Sequence, residues 1–297
     1  MNQYLHNFES LHIALEDDIH IHAKSAGSGP ALLMLHGHPE THLMWHKIAP
    51  QLAKNYTVVL PDLRGYGDSA HPKGLPDHSN YSRRVMANDM IAVMEKLGFT
   101  EFYLVGHDRG ARVAHRMLLD HPTRVKKCMF LDIAPTYDMY KGTNMSFGLS
   151  HYHWFFLVQP TPLPERLLAG DPEYFFRTMY GDYSDIENSL RVFPEEIKQA
   201  YIEKLSTPQG LHAICEDYRA CATIDLVHDE ADRDQKTDVP LMVLWGEKGN
   251  LNKEFDVLKL WQGRGNNVQG YGITNCGHFI PEDSPAATIE AIEAFMC

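Results

Sequence analysis

The chain has 297 residues, 44% of them hydrophobic, which is enough apolar material to bury a large core in one domain or in a core domain with an insertion. A formal net charge of −12 argues against a broad basic surface for nucleic acid or anionic lipid. We therefore expect no nucleic-acid or membrane partner, and any anionic ligand needs a local cationic site.

The amino-terminal segment MNQYLHNFESLH lacks the basic start and apolar run of a secretory signal, and no apolar stretch is long enough to cross a bilayer. These features predict a soluble, cytoplasmic protein. The cysteines are odd in number and form no CxxC pair, so we expect reduced thiols rather than a disulfide framework or a zinc knuckle. They are Cys128, Cys215, Cys221, Cys276 and Cys297.

The first regular elements lie between residues 31 and 98. The apolar run ALLMLHG (31–37) is typical of a strand buried on both faces, and it leads into the tetrapeptide HGHP. A second such run is YTVVLPD (56–62). The segment SRRVMANDMIAVMEKLG (82–98) then has the pattern of an amphipathic helix that ends at a glycine.

The third apolar run, FYLV (102–105), leads into GHDRG (106–110) and a predicted helix. A Gly-x-X-x-Gly sequence at a strand-to-helix junction is typical of a nucleophile elbow, where small flanking residues permit the tight turn that exposes the central side chain. That side chain is Asp108, not serine. A carboxylate attacks a saturated carbon and displaces a leaving group, whereas a serine forms an acyl-enzyme with an ester.

Two further apolar runs, CMFLDIAP (128–135) and PLMVLWG (240–246), are separated by a stretch rich in Tyr, Phe and His. Strands that alternate with helices predict an α/β fold with a mostly parallel, doubly wound sheet. We expect the interrupting segment, 136–231, to form a helical cap over the carboxyl end of the sheet. Residues 1–135 and 232–297 then form the core domain.

His278, in NCGHF near the carboxyl terminus, is the predicted base. The motifs HGHP, GHDRG and GHF occur in the order and context of the α/β-hydrolase fold, as oxyanion loop, nucleophile and base. In that fold the acid that orients the base follows either of two strands. Gly249 holds the usual position after the later strand, with Glu247 and Asn250 out of register, so the predicted acid is Asp132 and the alternative is Glu247.

Five segments together resemble the fluoroacetate (haloacetate) dehalogenases over nearly the whole chain. The arginine-containing elbow and the His-Trp pair of the cap are more specific than the fold signature. The segments are THLMWHKIAP, GHDRGARVAHRM, FLDIAPT, HWFFLVQP and GHFIPE.

The resemblance implies that Arg109 and Arg112 hold the carboxylate of the substrate. They are three residues apart, so they share a helix face, and paired guanidinium groups bind a carboxylate through charge-assisted hydrogen bonds. The resemblance also implies that His153, Trp154 and Tyr218 bind the departing halide. An imidazole, an indole N–H and a phenol are all competent donors to an anion.

One position departs from the family pattern, because His38 stands where a phenylalanine usually follows the first His-Gly. The oxyanion contact there is made by the backbone N–H, so it should survive, with the N–H of Arg109 as the second donor. The imidazole either borders the substrate cleft, where it alters polarity or size preference, or faces solvent without a role. The resemblance favours a homodimer, and neither a metal nor an organic cofactor is expected, since no HExxH or comparable spacing occurs.

The resemblance, together with these residues, implies hydrolytic dehalogenation of a 2-haloacetate. Asp108 displaces the halide and becomes an ester, and water activated by His278 hydrolyses that ester. An epoxide hydrolase shares the aspartate and the histidine and uses cap tyrosines, which are abundant here, but an epoxide has no carboxylate for the two arginines. A ligand-binding receptor on a hydrolase scaffold is the alternative from another class, and turnover would distinguish it.

Overall fold

The computed structural model describes residues 4–297, which contain one eight-stranded sheet with the strand order β1-β2-β4-β3-β5-β6-β7-β8. The first two strands are antiparallel to their neighbours, and from β4 to β8 the pairing is parallel. The strands are β1 (Glu9–Ala14), β2 (His20–Ala26), β3 (Ala31–Leu35), β4 (Thr57–Pro61), β5 (Phe102–His107), β6 (Val125–Leu131), β7 (Leu241–Gly246) and β8 (Val268–Ile273).

The central strands are almost wholly buried, and all five side chains of β3 are inaccessible or nearly so. Continuous apolar runs of this kind belong to strands covered by helices on both faces. The predicted α/β-hydrolase fold is therefore confirmed. The short antiparallel strands β1 and β2, which contain several polar residues, and the edge strand β8 were not predicted from the apolar runs.

Helices cover both faces of the sheet and fill the interval between β6 and β7. They are α1 (Ala49–Leu52), α2 (Arg83–Lys96), α3 (Asp108–Asp120), α4 (Thr136–Lys141), α5 (Met145–Ser150), α6 (Tyr152–Leu157), α7 (Leu163–Leu168), α8 (Pro172–Met179), α9 (Ile186–Val192), α10 (Glu195–Leu205), α11 (Pro208–Ala222), α12 (Ile224–Ala231), α13 (Asn250–Glu254), α14 (Val257–Gln262), α15 (Ile280–Asp283) and α16 (Pro285–Met296). Short 3-10 helices occur at His42–Lys47, Ser79–Tyr81 and Pro122–Arg124.

The segment from α4 to α12 carries no strand among the described residues, and its first and last helices begin at Thr136 and end at Ala231. Helix α11 lies at the centre of this segment, since it packs against α6, α7, α10 and α12. It also contacts the core near Ser79–Tyr81. No helix within residues 4–297 is long and apolar enough to span a membrane.

Candidate active site

The junction between β5 and α3 is a sharp turn centred on Asp108. Its backbone is left-handed at Asp108, with φ of 43°, a conformation that few non-glycine residues adopt. The flanking glycines permit the turn, because a Cβ at Gly110 would lie 2.3 Å from the Leu35 carbonyl oxygen and one at Gly106 would lie 2.6 Å from Ala111 Cα. The turn places the Asp108 carboxylate at the amino terminus of α3.

The Asp108 carboxylate is held ionised by its neighbours. Burial raises the pKa of Asp108, but the charges of His278, Arg112 and His107 outweigh it and hold the pKa well below its usual range. The N–H of His38 donates to Asp108 Oδ1 at 3.0 Å. The N–H of Arg109 lies in the first turn of α3, where backbone donors have no partner within the helix.

His278 is paired with Asp132, through Nδ1 and Oδ2 at 2.6 Å. Asp132 is buried with φ of 49°, and its other oxygen accepts the N–H of Gly246 at 2.9 Å. Burial lowers the pKa of His278, but the hydrogen bond and charge of Asp132, with the charge of Asp108, raise it to about 9. Asp132 thus occupies the place predicted for the acid.

The alternative acid, Glu247, is exposed and has no contact with the imidazole of His278 in the described chain. Gly249 explains how the earlier strand can supply the acid. A Cβ built on Gly249 would lie 3.7 Å from both carboxylate oxygens of Asp132, so side chains from the two strand ends would reach the same place.

Three buried residues behind His278 were not identified from the sequence. His107 joins Glu40, at 3.0 Å, to the carbonyl oxygen of His278, at 2.9 Å. Glu40 in turn faces Glu282, and burial together with the charge of Glu40 raises the pKa of Glu282 well above its usual range. The only sequence signal was position, since Glu40 directly follows HGHP and His107 lies within GHDRG.

A cavity of about 280 Å³ opens above Asp108, between the strand ends and the cap. Its wall includes His278 and Asp132 on the core side. Its cap side includes the predicted halide-binding residues His153, Trp154 and Tyr218. The structure therefore brings together in one cavity residues that are far apart in the chain, such as Asp108 and His278, which are 170 positions apart.

Arg112 also lines this cavity and is 4% exposed. Its guanidinium group donates to Thr136 Oγ1 at 2.6 Å, contacts the sulfur of Met139 and lies 4.8 Å from the centre of the Trp154 ring. No carboxylate within the described residues forms an ion pair with it. Burial lowers the pKa of Arg112, as expected for a cation that is removed from water without a paired anion.

Arg109 lies in a different environment. Its Nε and Nη2 donate to Asp217 of α11, at 2.9 Å to Oδ2 and 2.8 Å to the main-chain oxygen, and its guanidinium lies 4.0 Å from the centre of the Tyr218 ring. Its Nη1 is buried without a partner in the described chain. Shared position on one helix face was visible in the sequence, but the ion pair with Asp217 was not.

The predicted halide donors are aromatic rings, two of which are grouped around the third, Tyr218. The ring of Tyr218 lies 5.8 Å from His153 and 6.5 Å from Trp154. Burial lowers the pKa of His153 well below its usual range, so the imidazole is neutral and carries one N–H. Within residues 4–297 no protein group accepts a hydrogen bond from these three side chains, which leaves their donors available to a ligand.

The His38 side chain lines the cavity and is 4% exposed, so the solvent-facing alternative is wrong. Its ring lies 5.4 Å from Tyr218 and 6.2 Å from Phe176. Burial lowers its pKa to about 3, so the imidazole is neutral. Both of its ring nitrogens are buried without a partner in the described chain, and they add polarity where the family pattern has a phenyl ring.

His22, His42 and Asp62 could offer metal ligands, since three of their side-chain atoms lie within 4.8 Å of one another. They lie outside the cavity described above. The carboxylate of Asp62 is bonded to Nδ1 of His22 at 2.9 Å and to Nδ1 of His42 at 2.8 Å. Hydrogen bonds thus account for this cluster.

Comparison with known proteins agrees with the fold and the motifs. The sequence profile of the alpha/beta hydrolase fold matches residues 30–285. A fluoroacetate dehalogenase of Burkholderia sp is 40% identical over 97% of this chain and 95% of its own length. A soluble epoxide hydrolase of Corynebacterium sp. (strain C12) is 30% identical over 96% of both chains.

Among solved structures, a protein of Nostoc sp PCC 7120 assigned to the alpha/beta hydrolases superposes with a TM-score of 0.94 at 52% identity, covering 98% of this chain and 99% of the other. The resemblance to fluoroacetate dehalogenases that the motifs indicated is thereby confirmed at the level of the whole chain. The profile match and these relatives show that the chain belongs to the alpha/beta hydrolase family.

Proposed function

We propose that this hydrolase acts on carbon–halogen bonds and converts a 2-haloacetate, such as fluoroacetate, and water into glycolate and halide. The observation that carries the proposal is Arg112, a buried cation that lines the cavity beside Asp108 and has no carboxylate partner in the described protein. A buried charge is costly unless it is paired, so such a group in a ligand cavity indicates an anionic ligand. The carboxylate of a haloacetate supplies that charge.

In the first step the substrate carboxylate binds Arg112; Arg109 does not line the cavity, because its guanidinium group is held by Asp217. Asp108 attacks the α-carbon, so that a carbon–oxygen bond forms while the carbon–halogen bond breaks. The halide leaves with the bonding electron pair, toward the N–H and O–H groups of His153, Trp154 and Tyr218. A strong carbon–fluorine bond makes these donors most important for fluoride.

In the second step His278 accepts a proton from a water molecule, and the hydroxide attacks the carbonyl carbon of the Asp108 ester. The backbone N–H groups of His38 and Arg109 stabilise the oxyanion. The ester bond breaks, glycolate departs with a proton from His278, and one further proton is released to solvent as Asp108 ionises again. Asp132 holds the imidazole in the required tautomer and stabilises its cationic form.

Epoxide hydrolysis is the second candidate, because a soluble epoxide hydrolase is 30% identical over nearly the whole chain. Two tyrosines, Tyr152 and Tyr218, line the cavity and could protonate an opening ring. An epoxide is neutral, however, and would leave Arg112 without an anion.

Fluoride release from fluoroacetate, measured beside chloroacetate and styrene oxide, is the direct test. Arg112→Met should lower kcat/KM for the haloacetates by roughly a hundredfold to a thousandfold, the cost of removing one partner of a buried charge pair. Arg116→Met is the matched control, because Arg116 is a buried arginine of the same helix that is already paired with Asp120 and Asp232. Diol from styrene oxide without halide from either acid would replace the proposal with epoxide hydrolysis.

A further inference from the structure

Asp217 is a buried carboxylate of the cap helix α11 and is fully inaccessible to solvent. It binds side chains from three separate elements of the core. The hydroxyl of Tyr66 donates to Oδ2 at 2.7 Å, Arg83 at the start of α2 donates to Oδ1, and Arg109 at the start of α3 binds both oxygens. One cap residue therefore connects the loop after β4 and the first turns of α2 and α3.

The ion pair between Arg109 and Asp217 is next in sequence to two groups of the proposed reaction. Arg109 directly follows the nucleophile Asp108, and Asp217 directly precedes Tyr218 in the halide-binding part of the cavity. The guanidinium of Arg109, fixed by Asp217, lies 4.0 Å from the centre of the Tyr218 ring. A guanidinium cation and an aromatic ring in this arrangement attract one another, so the position of Arg109 determines the position of the Tyr218 side chain.

The two arginines of α3 consequently differ in what they can do. Arg109 has a paired carboxylate and keeps one free donor group, whereas Arg112 has no carboxylate and faces the cavity. The family resemblance assigned both to the substrate carboxylate. Their contacts instead favour Arg112 as the main ligand of that carboxylate.

We propose that Asp217 is a positioning residue for halide departure: by fixing Arg109 against the ring of Tyr218, it aims the phenol at the leaving halide and leaves Arg112 to bind the substrate carboxylate. This inference rests on the proposed dehalogenase function. It assigns to Asp217 an effect on the halide end of the substrate and little effect on the carboxylate end.

The test uses Asp217→Glu, which keeps the charge but displaces the carboxylate by one methylene, so that any effect reports position. The matched control is Glu216→Asp, which alters by one methylene the neighbouring buried carboxylate of α11. Glu216 also joins cap to core, through Nδ1 of His78 at 2.7 Å, but it does not contact Arg109. Both variants thus change by one methylene a buried carboxylate that joins the cap to the core.

Bromide binding is measured by quenching of Trp154 fluorescence, with Trp154→Phe as the blank for the other tryptophans. Asp217→Glu should raise the bromide dissociation constant by roughly tenfold, the effect of one misaligned hydrogen bond to an anion, and Glu216→Asp should leave it unchanged. In turnover, kcat for fluoroacetate should fall several-fold more than kcat for bromoacetate, with KM within about twofold of wild type.

Tyr66→Phe provides a milder variant in case Asp217→Glu fails to fold, since it removes only one hydrogen bond to Asp217 and should shift bromide affinity in the same direction. Wild-type bromide affinity in both variants, or an equal loss in Glu216→Asp, would overturn the inference. So would the absence of Trp154-dependent quenching in the wild type. A protein that shows the predicted bromide affinities but releases no halide from any haloacetate would refute the proposed function, and only the effect of Asp217 on anion binding at Tyr218 would remain.

Discussion

At the scale of single residues, the two steps of the proposed reaction depend on different side chains. Asp108 forms the ester and His278 removes it, and the pair of His278 with Asp132 at 2.6 Å gives the base a fixed orientation. Replacing the base should therefore stop the cycle between the two steps rather than before the first.

His278→Asn should retain alkylation but block hydrolysis, so that haloacetate leaves one carboxymethyl group on Asp108. Peptide mass spectrometry after incubation with chloroacetate would locate it. An adduct on another residue, or unimpaired turnover of this variant, would contradict the assignment of nucleophile and base. Asp108→Asn is the control and should acquire no adduct.

The pH dependence should differ between the two steps. The pKa of Asp108 lies well below its usual range, so alkylation needs no further ionisation near neutral pH. His278 must be neutral to act as a base, and its pKa is about 9 while Asp108 is charged. Formation of the ester removes the negative charge of Asp108, so the pKa of His278 then falls below that value.

Ester hydrolysis should therefore slow as the pH decreases through the lowered pKa of His278. We expect the ester to accumulate during turnover at about pH 6 and to be scarce at about pH 9, because only the neutral imidazole accepts a proton from water. Rapid-quench mass spectrometry at several pH values measures the ester fraction. An ester fraction that is constant or that rises with pH would refute this order of events.

Short motifs predicted the individual groups better than their partners. GHDRG and GHF identified Asp108 and His278 because each motif is contiguous in the chain. Asp217, by contrast, lies 108 residues from Arg109, and Glu282 meets Glu40 only through the fold. Long-range contacts of this kind leave no local pattern, so nothing in the sequence distinguishes Arg109 from Arg112.

At the scale of secondary-structure elements, the elbow depends on close approach of backbone rather than on side-chain chemistry. Gly110 lies in the first turn of α3 against the carbonyl oxygen of Leu35, whereas Gly148 lies in α5 with nothing within 4 Å of its added Cβ. Both glycines lie in helices, but only the position of Gly110 excludes a larger side chain.

Gly110→Ala should destabilise the protein by about 3 kcal/mol or more, because the added methyl group forces β3 and α3 apart. Gly148→Ala should instead stabilise it by about 0.5–1 kcal/mol, since alanine loses less backbone entropy in a helix. Urea unfolding of both variants makes the comparison. Similar stabilities for the two would show that the elbow has room to relax.

The central elements were predictable because buried parallel strands read as continuous apolar runs. The amino-terminal strands β1 and β2 were not, since they alternate polar and apolar residues and contain His12, His20 and His22. The cap could be recognised only as an interruption of the strand pattern. Its short helices, many of six to eight residues, give too few turns for their hydrophobic faces to be read.

At the scale of the whole molecule, exposed apolar side chains are concentrated on the cap. Pairs one helical turn apart are exposed on three cap helices, and Met145 and Leu149 of α5 are the most exposed, at 79% and 72%. Large apolar side chains exposed one turn apart on a helix, as on α5, are typical of an interface. We propose that a second copy of the chain covers this region, in keeping with the expected homodimer.

Replacing both Met145 and Leu149 by lysine should convert the dimer into a monomer, because a charged pair opposes burial in an apolar contact. Light scattering after size-exclusion chromatography measures the mass. Leu75→Lys is the control, since Leu75 is 49% exposed but lies on the core domain. A monomeric wild type, or a double variant that remains dimeric, would contradict this interface.

The unpaired cation at Arg112 also has a consequence for the melting temperature. Without a ligand, the folded protein keeps a desolvated charge that the unfolded chain exposes to water, so the empty enzyme is the least stable form. Small carboxylates should raise the melting temperature, whereas a neutral amide of the same shape should not. A carboxylate at a concentration of roughly a hundred times its Kd should add about 2.7 kcal/mol to the free energy of unfolding. Acetate and acetamide form such a matched pair. Arg112→Met, which lacks the guanidinium group that a carboxylate would pair with, should show the same melting temperature with acetate, with acetamide and with neither.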